Sequence, residues 1–139
     1  MALSASKLKV GDKHTERVVD NLSRTQLVQY AGASGDYNPL HSDEVYAKHA
    51  GYKGVFAHGM LTMGLTGKML TNYVGDTRLK KFGVRFTNQV WPGDTLDSTA
   101  TVAAIRQENG EHLVDLTVST VNQDGTEVVA GQATARIDP

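Results

Sequence analysis

The chain has 139 residues, with 14 Lys and Arg against 15 Asp and Glu, and its net charge of -1 gives it no overall attraction to nucleic acid or to an anionic membrane surface. Apolar residues make up 40% and charged residues 21%, as in an ordinary globular protein with a hydrophobic core. The absence of cysteine excludes disulfides, thiolate nucleophiles and sulfur-ligated metals, and it fits a reducing compartment, so we expect a cytoplasmic protein.

The sequence shows no division into separate parts. Residues 1–9 lack the apolar run of a signal peptide, and no stretch has the length and apolarity of a membrane span. No Pro/Gly/Ser-rich linker, charge block or internal repeat interrupts the chain. We therefore expect a single domain over residues 1–139, with helices and loops up to about Val74 and strands after it.

The first helix is predicted to begin after Ser23. Ser23 and Gln26 have the spacing of a capping box, in which the side chain of each residue bonds a backbone N–H of the other. Gly32 and Gly35 are expected to end this helix, because glycine readily adopts the left-handed conformation found just after a helix C-terminus.

A second, short helix is predicted to begin at Ser42. Acidic residues would occupy its first turn and Lys48 and His49 its last, as the helix dipole favours. Gly51 is expected to cap its C-terminus.

The segment from Gly59 to Val74 is predicted to be a buried central helix. It carries large apolar side chains around its circumference and a single charge, Lys68, so it has no wide polar face. Gly64 and Gly67 each cost such a helix roughly 1 kcal/mol relative to alanine. We expect the close approach of another backbone to offset that cost.

The remainder of the chain has the period-two apolar pattern of strands. Asn109-Gly110 and Asp124-Gly125 are typical of β-hairpin turns. They separate three predicted strands, at residues 95–105, 112–121 and 127–137. With an early strand at residues 13–20, this order of elements predicts an α+β domain in which an antiparallel sheet wraps around a long central helix.

The strongest chemical signal lies between the first two helices. Asp36 and His41 are five residues apart on a loop in which glycine lets the backbone turn and Pro39 restricts its neighbour to an extended conformation. A carboxylate and an imidazole aimed into one space can move two protons at neutral pH. The alternative from the residues alone is a turn stabilised by Asp and Asn, with a histidine that donates a structural hydrogen bond.

Two motifs carry a resemblance to a known family. Residues 34–41 (SGDYNPLH) resemble the signature of the MaoC-like, or (R)-specific enoyl-CoA hydratase, family, and residues 57–61 (AHGML) resemble the start of its central helix. Weaker similarities at residues 84–86 and 92–94 extend the resemblance over most of the chain. The sequence is also similar to the mycobacterial-type (3R)-hydroxyacyl-carrier-protein dehydratase subunits of the same family.

The resemblance implies a hot dog fold and a dimer with its sites at the subunit interface, for which we expect a homodimer and keep a heterodimer open. It implies a hydro-lyase of fatty-acid metabolism that hydrates trans-2-enoyl thioesters to (3R)-hydroxyacyl thioesters or runs the reverse dehydration, without a cofactor, on acyl-CoA or acyl-carrier-protein substrates. By analogy, Asp36 and His41 hold one water between them. Asp36 takes a proton from the water as it attacks C3, and His41 delivers a proton to C2.

Three further residues are assigned to this site. Gly59, at the start of the predicted central helix, is the candidate donor of a backbone N–H to the enolate oxygen of the thioester, with a simple turn glycine as the alternative. Ser34 and Asn38 are expected to orient the loop and the catalytic pair.

One basic cluster is a candidate binding site for the phosphates of coenzyme A or of a phosphopantetheine carrier. The alternative is a solvated surface. The cluster consists of Arg78, Lys80, Lys81 and Arg85.

Other functions receive less support from the sequence. His41, His49 and His58 are separated by seven and eight residues, which matches no familiar ligand spacing, so we expect no metal. A hot dog thioesterase would need a residue placed to attack C1 of the thioester. A non-catalytic partner of an active subunit would have no need of the acid–base pair, which this chain retains.

Overall fold

Five strands and three α-helices make up the computed structural model, which describes residues 2–139. In chain order the elements are β1 Lys13–Val19, α1 Arg24–Ser34, α2 Glu44–His49, α3 Gly59–Val74, β2 Leu79–Phe86, β3 Leu96–Glu108, β4 Glu111–Val121 and β5 Glu127–Ile137. The strands form one antiparallel sheet in the order β1-β3-β4-β5-β2. In the described part of the chain, no helix combines the length and the apolarity needed to cross a membrane.

Helix α3 packs against the sheet with its second half. Met69, Leu70 and Val74 are completely buried among apolar side chains of β3, β4 and β5. A second apolar cluster joins Leu27 of α1 and Ala47 of α2 to the other end of the sheet. The α+β prediction of an antiparallel sheet around a long central helix is therefore confirmed, and the predicted bounds of that helix match the observed ones.

One stripe of α3 is exposed, whereas the sequence predicted burial on all sides. Met60, Gly64 and Lys68 lie on this stripe at intervals of four residues. A Cβ atom at Gly64 would meet no atom within 4 Å, and one at Gly67 would meet the ring of Phe82 at 3.2 Å. The prediction that another backbone approaches both glycines is therefore wrong within this chain.

Helix α1 begins as its sequence predicts. The Ser23 hydroxyl accepts a hydrogen bond from the N–H of Gln26, and the Gln26 side chain accepts one from the N–H of Ser23, which confirms the capping box. The helix ends at Gly35, whose φ of 77° is left-handed. Gly32 lies inside the helix and does not help to end it, because the backbone remains helical as far as Ser34.

Helix α2 begins two residues later than predicted. Asp43, and not Ser42, is the residue that caps it, because the Asp43 carboxylate accepts a hydrogen bond from the N–H of Tyr46 at 3.1 Å. The N–H of Ser42 instead closes the preceding turn. At the other end Ala50 is the cap, and Gly51 follows it with a left-handed φ of 97°.

The two predicted hairpins differ in their turns. Asn109 and Gly110 form the tight connection between β3 and β4, and both have the positive φ that a two-residue turn of this kind requires, 51° and 80°. Strands β4 and β5 are joined by a longer loop over residues 122–126, closed by a 2.9 Å hydrogen bond from the N–H of Asn122 to the carbonyl of Thr126. Asp124-Gly125 thus lies between the two strands, as predicted, but within a five-residue loop.

Three buried hydroxyl groups tie α3 to the sheet. Thr66 of α3 donates to the carbonyl of Thr62 at 2.9 Å, so its oxygen is an acceptor for Thr120 of β4 at 2.7 Å. Ser98 of β3 lies 2.6 Å from the same Thr120 hydroxyl. Since these hydroxyls have no solvent exposure, each one depends on the others for its hydrogen bonds. The network fixes the position of α3 along the sheet.

The edge strand β2 provides a test of the sheet register. A Cβ atom at Gly131 of β5 would lie 2.1 Å from the carbonyl oxygen of Gly83 and 2.8 Å from the Cα of Val84, both of which are backbone atoms. Gly131→Ala should therefore lower the free energy of unfolding by about 1–3 kcal/mol. Gly83→Ala is the matched control, because its Cβ would meet nothing within 4 Å. Urea denaturation of the two variants measures the difference, and equal stabilities would contradict this register.

Candidate active site

Asp36 lies directly after the residue that ends α1, on a loop shaped by its own side chains. The Ser34 hydroxyl accepts a hydrogen bond from the N–H of Asp36 at 3.1 Å. One carboxylate oxygen of Asp36 accepts the N–H of Asn38 at 3.3 Å, and the side chain of Asn38 accepts the N–H of Leu40 at 3.0 Å. These short-range bonds hold the loop, and they leave the other Asp36 carboxylate oxygen free on an exposed residue.

His41 lies at the end of the one-turn helix Pro39–His41 and is half-buried. Its Nδ1 is 2.6 Å from the carbonyl oxygen of Phe56, and because a carbonyl can only accept, Nδ1 carries the hydrogen. The ring is therefore fixed in the tautomer whose Nε2 is the free nitrogen. That nitrogen can accept a proton when the ring is neutral or donate one when it is charged.

The loop brings the two predicted catalytic side chains together. One carboxylate oxygen of Asp36, one ring nitrogen of His41 and one ring nitrogen of His58 all lie within 4.8 Å of one another. A single water molecule can hydrogen-bond two groups at such a separation, since each O–H···O or N–H···O bond spans about 2.8 Å. The arrangement is therefore suited to holding one water between an acid and a base.

His58 belongs to this cluster, although no role in the site was predicted for it. It is 1% exposed, its Nε2 is 3.0 Å from the carbonyl oxygen of Asp36, and its ring stacks on that of His41 with the centroids 3.8 Å apart. The only sequence feature that could have indicated its burial is its position directly before Gly59, the first residue of an apolar helix.

The stacked rings do not suit a shared metal ion. The planes of His41 and His58 are 25° apart. An imidazole nitrogen binds an ion in the plane of its ring, at about 2.0–2.1 Å for zinc. Two nearly parallel rings that lie one above the other cannot both direct a nitrogen at one such ion.

Helix α3 presents free backbone donors beside this cluster. The residue before its first turn, His58, makes no capping hydrogen bond with its side chain. Within residues 2–139, the N–H groups of Gly59 and Met60 donate to no acceptor. A Cβ atom at Gly59 would lie 2.9 Å from the ring of Phe86, so a larger residue at this position would have to displace that ring. A groove of about 260 Å³ adjoins Gly59 and Phe86.

The predicted basic cluster divides into two halves. Arg78 forms an ion pair with Asp138 at 2.8 Å, and Lys80 pairs with Glu111. The hydrogen bond from Lys80 lowers the pKa of Glu111. These two cations are thus already engaged by carboxylates of the same chain.

Lys81 and Arg85 are exposed on the outer face of β2 and form no ion pair in the described part of the chain. The charge of Lys81 does contribute to the lowered pKa of Asp115, which is caused mainly by a hydrogen bond from Arg106. Arg85 immediately precedes the residue whose ring covers Gly59.

Comparison with known proteins places these observations in context. Residues 6–123 match the family described as the MaoC like domain. A probable enoyl-CoA hydratase 2 of Dictyostelium discoideum is 37% identical over 79 residues, which are 55% of this chain and 27% of the relative. A mitochondrial 3-hydroxyacyl-[acyl-carrier-protein] dehydratase of Arabidopsis thaliana is 29% identical over 133 residues, 95% of this chain and 79% of the relative. The chain thus spans less than a third of the length of the Dictyostelium relative.

Solved structures of two (R)-hydratases have the same fold. R-hydratase PhaJ1 of Pseudomonas aeruginosa superposes with a TM-score of 0.84 at 30% identity, over 96% of this chain and 84% of the other. The (R)-hydratase of A. caviae involved in PHA biosynthesis superposes with a TM-score of 0.85 at 26% identity, over 96% and 99% of the two chains. These neighbours confirm the expected hot dog fold.

Proposed function

The chain belongs to the MaoC-like domain family, and from this premise we propose that it is a hydro-lyase that interconverts trans-2-enoyl and (3R)-hydroxyacyl thioesters in fatty-acid metabolism. The hydratase and dehydratase relatives and the (R)-hydratase structures support the proposal. The observation that carries it is the pairing of Asp36 with His41 within 4.8 Å, beside the free N–H of Gly59.

The proposed reaction uses polar atoms of the site that have no hydrogen-bond partner in the described chain. The carboxylate of Asp36 accepts a proton from the bound water as the water oxygen bonds to C3. The C2=C3 electrons move onto the thioester carbonyl oxygen, where the N–H of Gly59 stabilises the enolate. C2 then takes a proton from Nε2 of the protonated His41 ring, whose Nδ1–H stays bonded to the carbonyl of Phe56. The proton gained by Asp36 passes to Nε2 and restores the pair. Dehydration is the same sequence in reverse.

The substrate is proposed to be an acyl-CoA or an acyl-carrier-protein thioester, and both carry phosphate. Lys81 and Arg85 are the proposed phosphate contacts, because Arg78 and Lys80 are engaged by Asp138 and Glu111 and add only to the local field. Both residues line the outer face of the sheet, roughly 13 Å apart along β2 at 3.3 Å per residue. Phe86, which follows Arg85, lines the groove at Gly59.

A dimer is proposed to complete the site. Large apolar side chains are exposed on the Asp36 loop, on α2, at the start of α3 and at the end of β2: Tyr37 is 72% exposed, Val45 76%, Met60 55% and Phe86 50%. An exposed apolar surface of this kind is typical of a protein interface. A homodimer is the simplest arrangement, and a heterodimer with a second hot dog subunit would cover the same surface. A cytoplasmic location is proposed from the lack of cysteine.

Removal of either catalytic group tests the proposed function. Asp36→Asn and His41→Ala should each reduce the hydration of crotonyl-CoA by about 100- to 10,000-fold, since each removes a proton-transfer partner. The loss of enoyl absorbance measures the rate. Asp76→Asn and His49→Ala change the same residue types at exposed positions and should retain activity. Wild-type rates in folded Asp36→Asn or His41→Ala would refute the assignment.

Substitution of Gly59 tests the backbone donor. Gly59→Ala should lower kcat by about 10- to 100-fold. The new Cβ would clash with the Phe86 ring, and relief of this clash would move that ring or the first turn of α3, which carries the N–H that bonds the enolate oxygen. Gly64→Ala, in the same helix and with open space around its Cβ, should leave kcat unchanged. Similar kcat values for the two variants would exclude Gly59 from the reaction.

Removal of surface charge tests phosphate recognition. Lys81→Gln combined with Arg85→Gln should raise KM for crotonyl-CoA several-fold at low salt, and the difference should shrink as salt screens the charges. Lys13→Gln, on the opposite edge strand β1, should leave KM unchanged. A KM that is unaffected in the double variant would contradict the role of these two residues.

A further inference from the structure

His58 occupies the position before the first residue of α3 but does not act as its cap. Residues at this position usually stabilise a helix by accepting hydrogen bonds from the first N–H groups. The His58 side chain makes no such bond, and it is 1% exposed. Its imidazole is turned away from the helix and toward the loop that carries Asp36.

The first contact of His58 fixes the backbone of Asp36. Since the carbonyl oxygen of Asp36 can only accept, the 3.0 Å bond requires a hydrogen on Nε2 of His58. The two residues are 22 positions apart in the sequence. No other hydrogen bond in the described chain joins residues 35–38 to residues 58–74. The placement of Asp36 relative to α3 therefore depends on this bond.

The second contact of His58 fixes the catalytic imidazole. Its ring lies flat on that of His41, with the centroids 3.8 Å apart, while Tyr30 contacts the His58 ring edge-on at 4.9 Å. The stack leaves His41 little freedom to tilt, and the bond from Nδ1 of His41 to Phe56 opposes rotation of the ring. One residue thus contacts both members of the pair.

The two stacked rings have opposite tautomers. His41 carries its hydrogen on Nδ1 and His58 carries its hydrogen on Nε2. Nδ1 of His58 is buried and has no hydrogen-bond partner. A second proton there would be a buried donor without an acceptor, which is strongly unfavourable. The contacts of His58 therefore select its uncharged Nε2–H tautomer.

We propose that His58 is a positioning residue for the hydration reaction, which holds the Asp36 backbone and the His41 ring in register through one neutral imidazole. The proposal rests on the function proposed above. It assigns to His58 no contact with substrate, so the residue acts on turnover through Asp36 and His41.

A measurement on the wild-type protein tests the tautomers without any assay. Long-range ¹H–¹⁵N correlation spectra of the ¹⁵N-histidine-labelled chain should show His58 as the Nε2–H form and a hydrogen on Nδ1 of His41. Spectra of His58→Gln assign the His58 signals by their disappearance. A His58 ring that is charged or carries its hydrogen on Nδ1 would overturn the proposal, whatever reaction the protein catalyses.

Three substitutions separate the two contacts. His58→Gln keeps an N–H donor for Asp36, His58→Phe keeps a ring against His41, and His58→Leu keeps neither. We expect His58→Leu to lower kcat by about 10- to 100-fold with KM changed less than about twofold, since misplacement by about 1 Å costs that much. Gln and Phe should each restore part of kcat. His49→Gln, at an exposed histidine, is the matched control and should match the wild type.

The outcomes distinguish this proposal from the proposed function. If wild type hydrates crotonyl-CoA and folded His58→Leu keeps kcat within about twofold, the positioning role is wrong and the function stands. The positioning role is also wrong if all three variants lose kcat equally and in parallel with thermal stability. If wild type hydrates no enoyl-CoA or enoyl-carrier thioester, the function fails, and the tautomer measurement still decides whether His58 is neutral and bound to Asp36.

Discussion

The fixed start of helix α3 is the constraint on which the site depends. The second half of the helix is held by the sheet, through the buried last turns and the hydrogen bond between Thr66 and Thr120. Because an α-helix is a stiff rod that rises 1.5 Å per residue, holding one end fixes the direction of the free N–H groups at the other. The loop with Asp36 is then attached to this start through His58. The Asp36 carboxylate, the His41 imidazole and the N–H of Gly59 are therefore all positioned relative to the start of α3.

Most of the fold could be predicted because its signals are local. The Ser23 capping box and the Asn109-Gly110 turn each depend on residues within four positions of one another, and both are observed. The predictions that failed concerned packing between distant segments. Gly64 faces open space and Gly67 meets an aromatic ring, and neither outcome can be derived from the helix sequence alone.

The candidate site shows the same difference between local features, which could be predicted, and contacts between distant residues, which could not. Asp36 and His41 could be predicted because only the four loop residues 37–40 separate them, and their observed proximity follows from that loop. His58 was missed because its partners are a carbonyl 22 residues earlier and the face of another ring. The engagement of Arg78 by Asp138 depends likewise on residues 60 positions apart. The sequence predicted which side chains could take part in catalysis or phosphate binding. It could not predict which of them already bond other residues of the same chain.

Both histidines of the site are oriented by backbone carbonyls, those of Phe56 and Asp36, and not by carboxylates. Among the described residues, Asp36 is therefore the only carboxylate of the cluster, and it is exposed to water in the single chain. Water weakens electrostatic interactions by its high dielectric constant, and they strengthen when it is excluded. A subunit that covered Tyr37 and Met60 would remove water from beside Asp36. In the proposed dimer, the same exposed apolar surface would link assembly to proton transfer.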